Sequence, residues 1–217
     1  MEFSELSKKA KAIAIENVRE RYSESISSES QREVADYVEN ELVPELAKYG
    51  IDIEVVSGRR SRADTERYNY GYSGFYSQGD GFHFCTNWFS PWEFIKKQKL
   101  GKQYANLVNA NKKIDCHIGG KISKITGSRY EHHNTVKLDT EILIDRDEDA
   151  PKRYNISELE SQAESVLDEM FEFCQDKMLE AYERAREDYE ALISDEGIES
   201  LIDANEITFN KDGSVEE

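Results

Sequence analysis

The sequence predicts an α+β protein in which helices at both ends of the chain flank a sheet-rich centre. Apolar residues recur at helical spacing over residues 1–50, and again from residue 155 to beyond residue 190. Residues 51–144 instead alternate between apolar and polar side chains around glycine-rich turns, which is typical of β-hairpins. We therefore expect an antiparallel or mixed sheet of about five strands. It should pack against the N-terminal helices and the long C-terminal helix.

The chain shows no internal repeat and no low-complexity linker, so we predict one α+β domain over residues 1–213. Within it we expect a helical pair, a sheet-rich centre with one helix, and long helices followed by a last strand. These parts cover residues 1–50, 51–144 and 155–213. Residues 214–217 are expected to form a mobile tail.

Short signals predict where the N-terminal helices begin and end. Ser28 followed by Gln31 forms a capping box, so the second helix is expected to start there, after a break over residues 23–28. Pro44 lacks a backbone N–H and should kink or divide this helix. Gly50 should end it, because glycine readily adopts the left-handed conformation found after a last turn. The two helices are expected to form an antiparallel pair.

Similar signals predict elements in the centre and in the C-terminal part. Ser90 before a proline predicts a helix start, and Asn155 predicts the start of the long helix. The pair Gly119-Gly120 between alternating flanks predicts a hairpin turn, and residues 135–144 give the clearest strand pattern. The strand at residues 207–209 is expected to join the sheet, because its backbone groups would otherwise lack partners.

Composition narrows the class of function. The 45 acidic and 28 basic residues give a net charge of −17, which excludes general attraction to nucleic acid. No apolar run is long enough to span a membrane, and the start of the sequence does not resemble a signal peptide. The three cysteines form no C-x-x-C pair. We therefore expect a cytoplasmic protein with free thiols.

The most distinctive stretch is residues 70–84, where aromatic residues alternate with small ones around Gly79-Asp80-Gly81. This pattern predicts a β-hairpin. Its polar residues either serve only as turn residues or line a ligand pocket at one end of the hairpin. In the second case, basic residues from the middle of the chain would hold an anionic ligand such as a nucleotide. The candidate ligand-binding residues are Ser73, Ser77, Gln78, Asp80, His83, His117 and Arg129.

The same stretch carries a family resemblance. Residues 72–81, Y-S-G-F-Y-S-Q-G-D-G, resemble a motif of small phage and prophage proteins, some of which are labelled as toxin–antitoxin components. Residues 189–196 and 204–213 resemble the closing Y-E-x-L-x-S-D-E and A-N-E-x-x-F-x-x-D-G segments of that family. Residues 115–122 are similar to its I-x-H-x-G-R-Y segment, with Lys121-Ile122 at the Arg-Tyr positions. The resemblance implies a phage-encoded protein in the cytoplasm of the host cell, but it implies no activity.

No motif of a common catalytic class occurs in the sequence. A P-loop, a G-x-G-x-x-G after a strand, a G-x-S-x-G and an H-E-x-x-H are all missing, which favours a non-enzymatic protein. An acid–base role for Asp80, with His83 or His117, remains an alternative. His132 and His133 would point to opposite faces of a strand, so neither a metal site nor a cofactor is predicted.

These observations favour a phage-encoded accessory protein that binds and inhibits a host factor, such as a defence or nucleic-acid-processing protein. One alternative is a domain that binds a nucleotide or another anion in a pocket at residues 77–81. Such a domain would either only bind its ligand or also hydrolyse it. A second alternative is an antitoxin. The expected partner is a host protein, with a nucleotide as the alternative ligand. A membrane partner and direct nucleic-acid binding are not expected, and homodimer formation is left open.

Overall fold

The computed structural model describes residues 1–58, 65–75, 77, 79–144 and 154–216. It contains both helices and strands and confirms the α+β class. In the described residues the α-helices are α1 (Lys8–Arg21), α2 (Ser23–Tyr37), α3 (Val43–Ala47), α4 (Trp92–Lys97), α5 (Ala105–Asn111), α6 (Ile156–Ile193) and α7 (Asp195–Ala204). The strands are β1 (Val55–Gly58), β2 (Thr65–Tyr68), β3 (Tyr70–Ser73), β4 (Gly81–Phe84), β5 (Cys116–Lys124) and β6 (Val136–Ile144).

The strands pair as three small antiparallel sheets, β1–β2, β3–β4 and β5–β6. The single sheet of about five strands was therefore wrong. Isolated bridges connect the pairs, with Ile53 opposite Thr86 and Phe89 opposite Gly120. Because β1, β2, β3 and β4 have only four residues each, the ladders end before they merge into one sheet.

The chain forms two compact units. Unit 1 comprises Met1–Tyr37 and Glu183–Glu217, and unit 2 comprises Val38–Tyr182. The core of unit 1 holds apolar side chains from α1, α7 and the segments beside them. The rings of Phe3 and Phe209 pack at 6.0 Å between centroids, and Ser194 caps α7 by accepting a hydrogen bond from the Gly197 N–H at 3.0 Å.

The expected last strand does not join a sheet. Phe209 instead forms an isolated bridge with Val215, and its N–H donates to the Met1 carbonyl at 2.9 Å. These contacts satisfy its backbone groups without a sheet. Residues 214–216, which were expected to be mobile, take part in the same arrangement through a 2.9 Å hydrogen bond from the Glu216 N–H to the Thr208 carbonyl.

Unit 2 packs its part of α6 along shorter helices. The ring of Phe173 on α6 lies 4.7 Å from Tyr49 and 5.6 Å from Phe94, measured between centroids. The Tyr104 hydroxyl, before α5, donates to the Glu169 carboxylate on α6 at 2.7 Å. Aromatic rings and aliphatic side chains such as Leu46 and Leu167 together form the apolar core of this unit. The long helix predicted from Asn155 onward is confirmed as Ile156–Ile193.

The N-terminal helices differ from the prediction in one respect and agree with it in another. The serine-rich residues 23–28 lie inside α2, and hydrogen bonds from Tyr22 N–H to Val18 and from Ile26 N–H to Tyr22 continue the helical pattern across the junction. The predicted break at residues 23–28, the helix start at Ser28 and the antiparallel pair were therefore wrong. Pro44 does divide the second helix as predicted, because a π-helix over Val38–Leu42 precedes α3.

The predicted hairpin turn at Gly119-Gly120 was also wrong, because β5 runs straight through both residues. A Cβ atom on Gly119 would lie 2.8 Å from the Phe89 carbonyl oxygen, and one on Gly120 would lie 3.0 Å from the Phe89 ring. The glycines therefore allow the Phe89 segment to lie against the edge of β5. Phe89 and Gly120 exchange two backbone hydrogen bonds there, at 2.9 and 3.0 Å.

The start of α4 differs from the sequence prediction, whereas the strand over residues 135–144 agrees with it. Ser90 makes no capping hydrogen bond, since Pro91 occupies the N-cap position of α4. The strand predicted at residues 135–144 is confirmed as Val136–Ile144. None of the helices in the described parts of the chain is both long and apolar enough to cross a membrane.

Candidate functional site

The β3–β4 hairpin confirms the strand pairing predicted for residues 70–84 and separates two kinds of side chain. Directly opposite residues, and residues two apart on one strand, share a face. The pairing of Tyr70 with Phe84 and of Tyr72 with Phe82 makes one face aromatic. The other face carries two glycines and two polar residues, Gly71, Ser73, Gly81 and His83. Two predicted site residues, Ser73 and His83, therefore lie on the same face.

Buried His83 lies beside two half-buried charged side chains, which together form a polar cluster. Its Nδ1 atom lies 2.9 Å from Oε2 of Glu131, although the two atoms do not form a hydrogen bond. The Lys124 ammonium donates to both oxygens of the same carboxylate at 2.7 Å. Burial lowers the pKa of His83, and the Lys124 charge acts in the same direction, whereas the Glu131 carboxylate raises it. The net direction is downward, so the neutral imidazole is favoured near neutral pH.

The glycines of this face allow another segment to lie directly upon it. A Cβ atom on Gly71 would lie 2.3 Å from Oε2 of Glu131 and 2.7 Å from Cε1 of His83. A Cβ atom on Gly81 would lie 2.8 Å from both the Glu131 carbonyl oxygen and Cα of His132. Real Cβ atoms do not approach other atoms so closely. At Gly81 the neighbours are backbone atoms, so only glycine fits there with the segment in place, whereas at Gly71 the ends of two side chains would have to shift.

This close covering limits what His83 can do chemically. A general base must reach the proton that it removes, directly or through one water. Only 3 % of His83 is exposed, because residues 131 and 132 cover it. The Lys124 ammonium joins Glu131 to β5, and the buried imidazole of the hairpin packs against the same carboxylate.

Ser73 has a different environment from the other polar residues of the hairpin. Its Oγ atom is buried and has no hydrogen-bond partner among the described residues. Leaving a buried hydroxyl unsatisfied costs about 1–3 kcal/mol. Ser73 and His83 are therefore the two predicted site residues with a buried polar atom that lacks a hydrogen-bond partner within the described residues.

The end of the hairpin is organised by Asp80. Its Oδ2 atom accepts a hydrogen bond from the Ser77 N–H at 2.6 Å, and its own N–H donates to the Ser77 carbonyl at 3.1 Å. This is how a turn aspartate stabilises a loop. Gln78 lies outside the described residues. The ligand pocket at Ser77, Gln78 and Asp80 stays a prediction, with Asp80 already engaged in the loop.

The structure separates His117 from the cluster at His83. His117 and Lys124 lie seven positions apart on β5, which corresponds to about 23 Å along a strand. The exposed imidazole of His117 contacts the Glu141 carboxylate at 3.3 Å. Arg129 is exposed and precedes the segment that covers the hairpin. His117 therefore cannot share a small pocket with His83.

Histidines, thiols and acids form no metal site in the part of the chain that the structure describes. His132 and His133 do not point to opposite faces of a strand as predicted. They precede and begin a short 3-10 turn, and their rings stack at 3.9 Å between centroids. The three cysteines are buried and free. Burial raises the pKa of each thiol, which disfavours the reactive thiolate.

An exposed apolar surface lies at the far end of β5. Trp88 is 56 % exposed and Leu143 is 59 % exposed. Leu143 is directly opposite His117 on the β5–β6 ladder, and Cε3 of Trp88 lies 3.6 Å from the position of a Cβ atom on Gly119. His117 and Gly119 share a face because they are two residues apart on one strand. We call the set of Trp88, His117, Glu141 and Leu143 the Trp88 surface.

A groove of about 480 Å³ opens at the Trp88 surface, lined among others by Trp88, Trp92, His117 and Glu141. Among its lining residues the one carboxylate is that of Glu141, which lies 3.3 Å from the His117 imidazole. Exposed apolar side chains that share one face of a sheet can form a contact surface, whereas single exposed apolar residues such as Ile125 are common. The Trp88 surface is thus the part of unit 2 best suited to contact another molecule through apolar area.

Sequence reasoning missed Trp88, Leu143, Glu131 and Lys124 as site residues. The sequence did contain a signal for the exposure of Trp88. Adjacent side chains of an extended segment point to opposite sides, so Trp88 and Phe89 are not expected to be buried on the same side. Phe89 is buried and Trp88 is not. No comparable signal marks Glu131, which meets the hairpin only through long-range folding.

Comparison with known proteins gives a family but no activity. Residues 34–195, well over half of the chain, match a domain of unknown function, DUF8835. No curated protein and no solved structure matches the chain. The matched range contains the hairpin, the polar cluster and the Trp88 surface, so all three are parts of the family domain. The chain belongs to the DUF8835 family.

Proposed function

We propose that this protein is a phage-encoded accessory protein that binds a host protein and inhibits it in the host cytoplasm. The motif resemblance to phage proteins supports the origin, and the exposed Trp88 surface supports binding by contact between proteins. The partner is a defence or nucleic-acid-processing protein.

The observation that carries the proposal is the exposure of Trp88 beside Leu143. Tryptophan is enriched among the few interface residues that contribute most of the binding energy. An aromatic side chain removes roughly 150–250 Å² from water when it is covered. The adjacent groove of about 480 Å³ leaves room for a partner side chain.

Charge supports the type of partner. The net charge of −17 favours encounter with a basic protein, and proteins that bind nucleic acid commonly present a basic surface. Long-range attraction of this kind acts mainly on the association rate and weakens with salt. The Trp88 surface itself is nearly uncharged, so it should determine the dissociation rate.

The test is quantitative capture of partners from a bacterial host lysate by the tagged chain and two variants. Trp88→Ala should reduce recovery of a stoichiometric partner and weaken its affinity about 30-fold, corresponding to about 2 kcal/mol. Ile125→Ala is the matched control. Ile125 is also an exposed apolar residue, but it lies beside the opposite end of β5.

Recovery of one host protein by the parent chain and Ile125→Ala, but not by Trp88→Ala, would support the proposal. The identity of the captured protein then shows which host process is affected. An activity assay of that protein, with and without the chain, measures inhibition. Equal recovery by all three chains would refute the role of the Trp88 surface. Absence of a stoichiometric partner in lysates of several hosts would refute the binding function itself.

A further inference from the structure

The strongest feature outside the Trp88 surface is a lysine-rimmed groove in an otherwise acidic protein. The groove lies between α4, the 3-10 turn Leu100–Lys102 and α5, and its volume is about 500 Å³. Four lysines line it: Lys96, Lys99, Lys102 and Lys112. The whole chain carries a net charge of −17, so four cations around one groove contrast with the rest of the sequence.

The floor of the groove is apolar. Trp92, Ile95 and Val108 line it beneath the lysines, and Trp92 is partly exposed. Lysine side chains can lie along apolar surface with their alkyl parts and present the ammonium at the rim. The groove thus combines an apolar lining that includes an aromatic side chain with four positively charged side chains.

These cations are largely available. Lys96 has a 3.3 Å contact with Glu93, and both side chains are well exposed, so this pair is weak. Lys99, Lys102 and Lys112 have no carboxylate partner among the described residues. An anion entering the groove would therefore not have to displace strong ion pairs.

The backbone conformation of Lys99 is a second, independent observation about this groove. Lys99 has φ 60° and ψ 29°, the left-handed conformation after the last turn of α4. Glycine usually occupies such a position, and a residue with a Cβ atom costs roughly 1 kcal/mol there. The chain places a lysine at this strained position on the rim of the groove, where its charge adds to the other three.

We propose that this groove binds a nucleoside phosphate, with the base on Trp92 and the phosphates between the lysines. Base stacking on an aromatic side chain suits the apolar floor, and lysine binds phosphate as a point charge. The volume is within the usual range of small-ligand pockets, roughly 300–1,000 Å³. A long polyanion fits less well, since it would extend beyond the groove over a chain of net negative charge.

Fluorescence provides a direct test, because the chain contains only two tryptophans. In a Trp88→Phe background, Trp92 is the single reporter. Saturable quenching by a nucleoside triphosphate is expected, with weaker binding of the free nucleoside and of inorganic phosphate, which each supply half of the contacts. Binding should weaken with added salt, because the charges are exposed.

Lysine variants locate the site. Lys102→Ala should weaken binding about 2- to 5-fold, as expected for one exposed charge contact. Lys97→Ala is the matched control, since Lys97 is an exposed lysine of α4 that does not line the groove. Lys99→Gly should weaken binding similarly while raising the unfolding temperature, because glycine relieves the left-handed backbone. If Lys99 had only a structural role, its replacement by glycine would lower both the affinity for the nucleotide and the unfolding temperature.

Each outcome decides the proposal. Quenching that follows the lysine variants but not Lys97→Ala supports it. The proposal is overturned by no saturable quenching at millimolar nucleotide, by equal quenching in all lysine variants, or by tighter binding of a single-stranded oligonucleotide than of the mononucleotide. None of these results depends on the protein partner.

Discussion

Replacement of Gly81 by alanine tests the close covering of the hairpin. The added Cβ atom would lie 2.8 Å from the Glu131 carbonyl oxygen and from Cα of His132. Both are backbone atoms, so they cannot move aside without moving the whole segment. Overpacking of this kind typically costs about 1–3 kcal/mol. Alanine also lowers the entropy of the unfolded chain, which offsets about 0.4–1 kcal/mol of that cost.

The expected net loss for Gly81→Ala is therefore about 1–2 kcal/mol in the free energy of unfolding. Gly101→Ala is the matched control, because a Cβ atom there has no neighbour within 4 Å. This control should instead gain about 0.4–1 kcal/mol. The same substitution should thus change stability in opposite directions at two glycines of unit 2.

Urea unfolding followed by tryptophan fluorescence measures the effect. Trp88 and Trp92 both belong to unit 2, so the signal reports the unit that contains Gly81. The midpoint should shift while the urea dependence of the free energy stays the same. A Gly81→Ala protein within about 0.5 kcal/mol of the parent, a typical margin for neutral surface changes, would refute the close covering.

Three further predictions concern other parts of the chain. Burial lowers the pKa of His83, so the unfolded state binds its proton more readily. The contribution of His83 to stability is then fully present above its unfolded pKa of about 6.5 and is lost as pH falls through the lower folded pKa. Among the histidine signals in an NMR titration, that of His83 should titrate below pH 6.5, and titration above that value would contradict the burial. Lys177 contacts Glu45 at 2.9 Å and Glu180 at 2.6 Å. Burial acts to lower the Lys177 pKa, but these hydrogen bonds outweigh it and hold the pKa above its usual range. Lys177→Met should cost about 1 kcal/mol in urea unfolding, discounted for the exposure of the carboxylates, and an unchanged midpoint would argue against the pairs. Ser194→Ala should cost about 1 kcal/mol through loss of the α7 cap, and retained helix content and midpoint would show that the cap is dispensable.

Elements whose cause is local were predictable from the sequence. The long helix Ile156–Ile193 and the strand Val136–Ile144 follow from side-chain periodicity alone. The pairing of β3 with β4 also followed from alternation around a glycine-rich turn. The division of the second helix at Pro44 followed from the missing N–H.

Features decided by distant residues were not predictable. A pair of glycines occurs in hairpin turns, but it also occurs where another segment approaches the backbone closely. At Gly119-Gly120 the second case holds, because the chain at Phe89 lies against both glycines. The low helix propensity of serine favoured a break at residues 23–28, but burial of Ile26 in the core of unit 1 outweighs it. In the same way, the sequence predicted His83 as a candidate site residue, but it gave no reason to expect the contact of His83 with Glu131.

The Phe89 segment has a consequence for the behaviour of β5 in solution. A nine-residue strand paired on one side only would offer a long open edge to strands of other molecules. Phe89 fills part of that edge at Gly120, and the Thr86 N–H donates to the Ile122 carbonyl while its hydroxyl accepts from the Ile122 N–H. The two glycines therefore protect the protein against edge-to-edge aggregation, by admitting a piece of its own chain where a foreign strand would otherwise add.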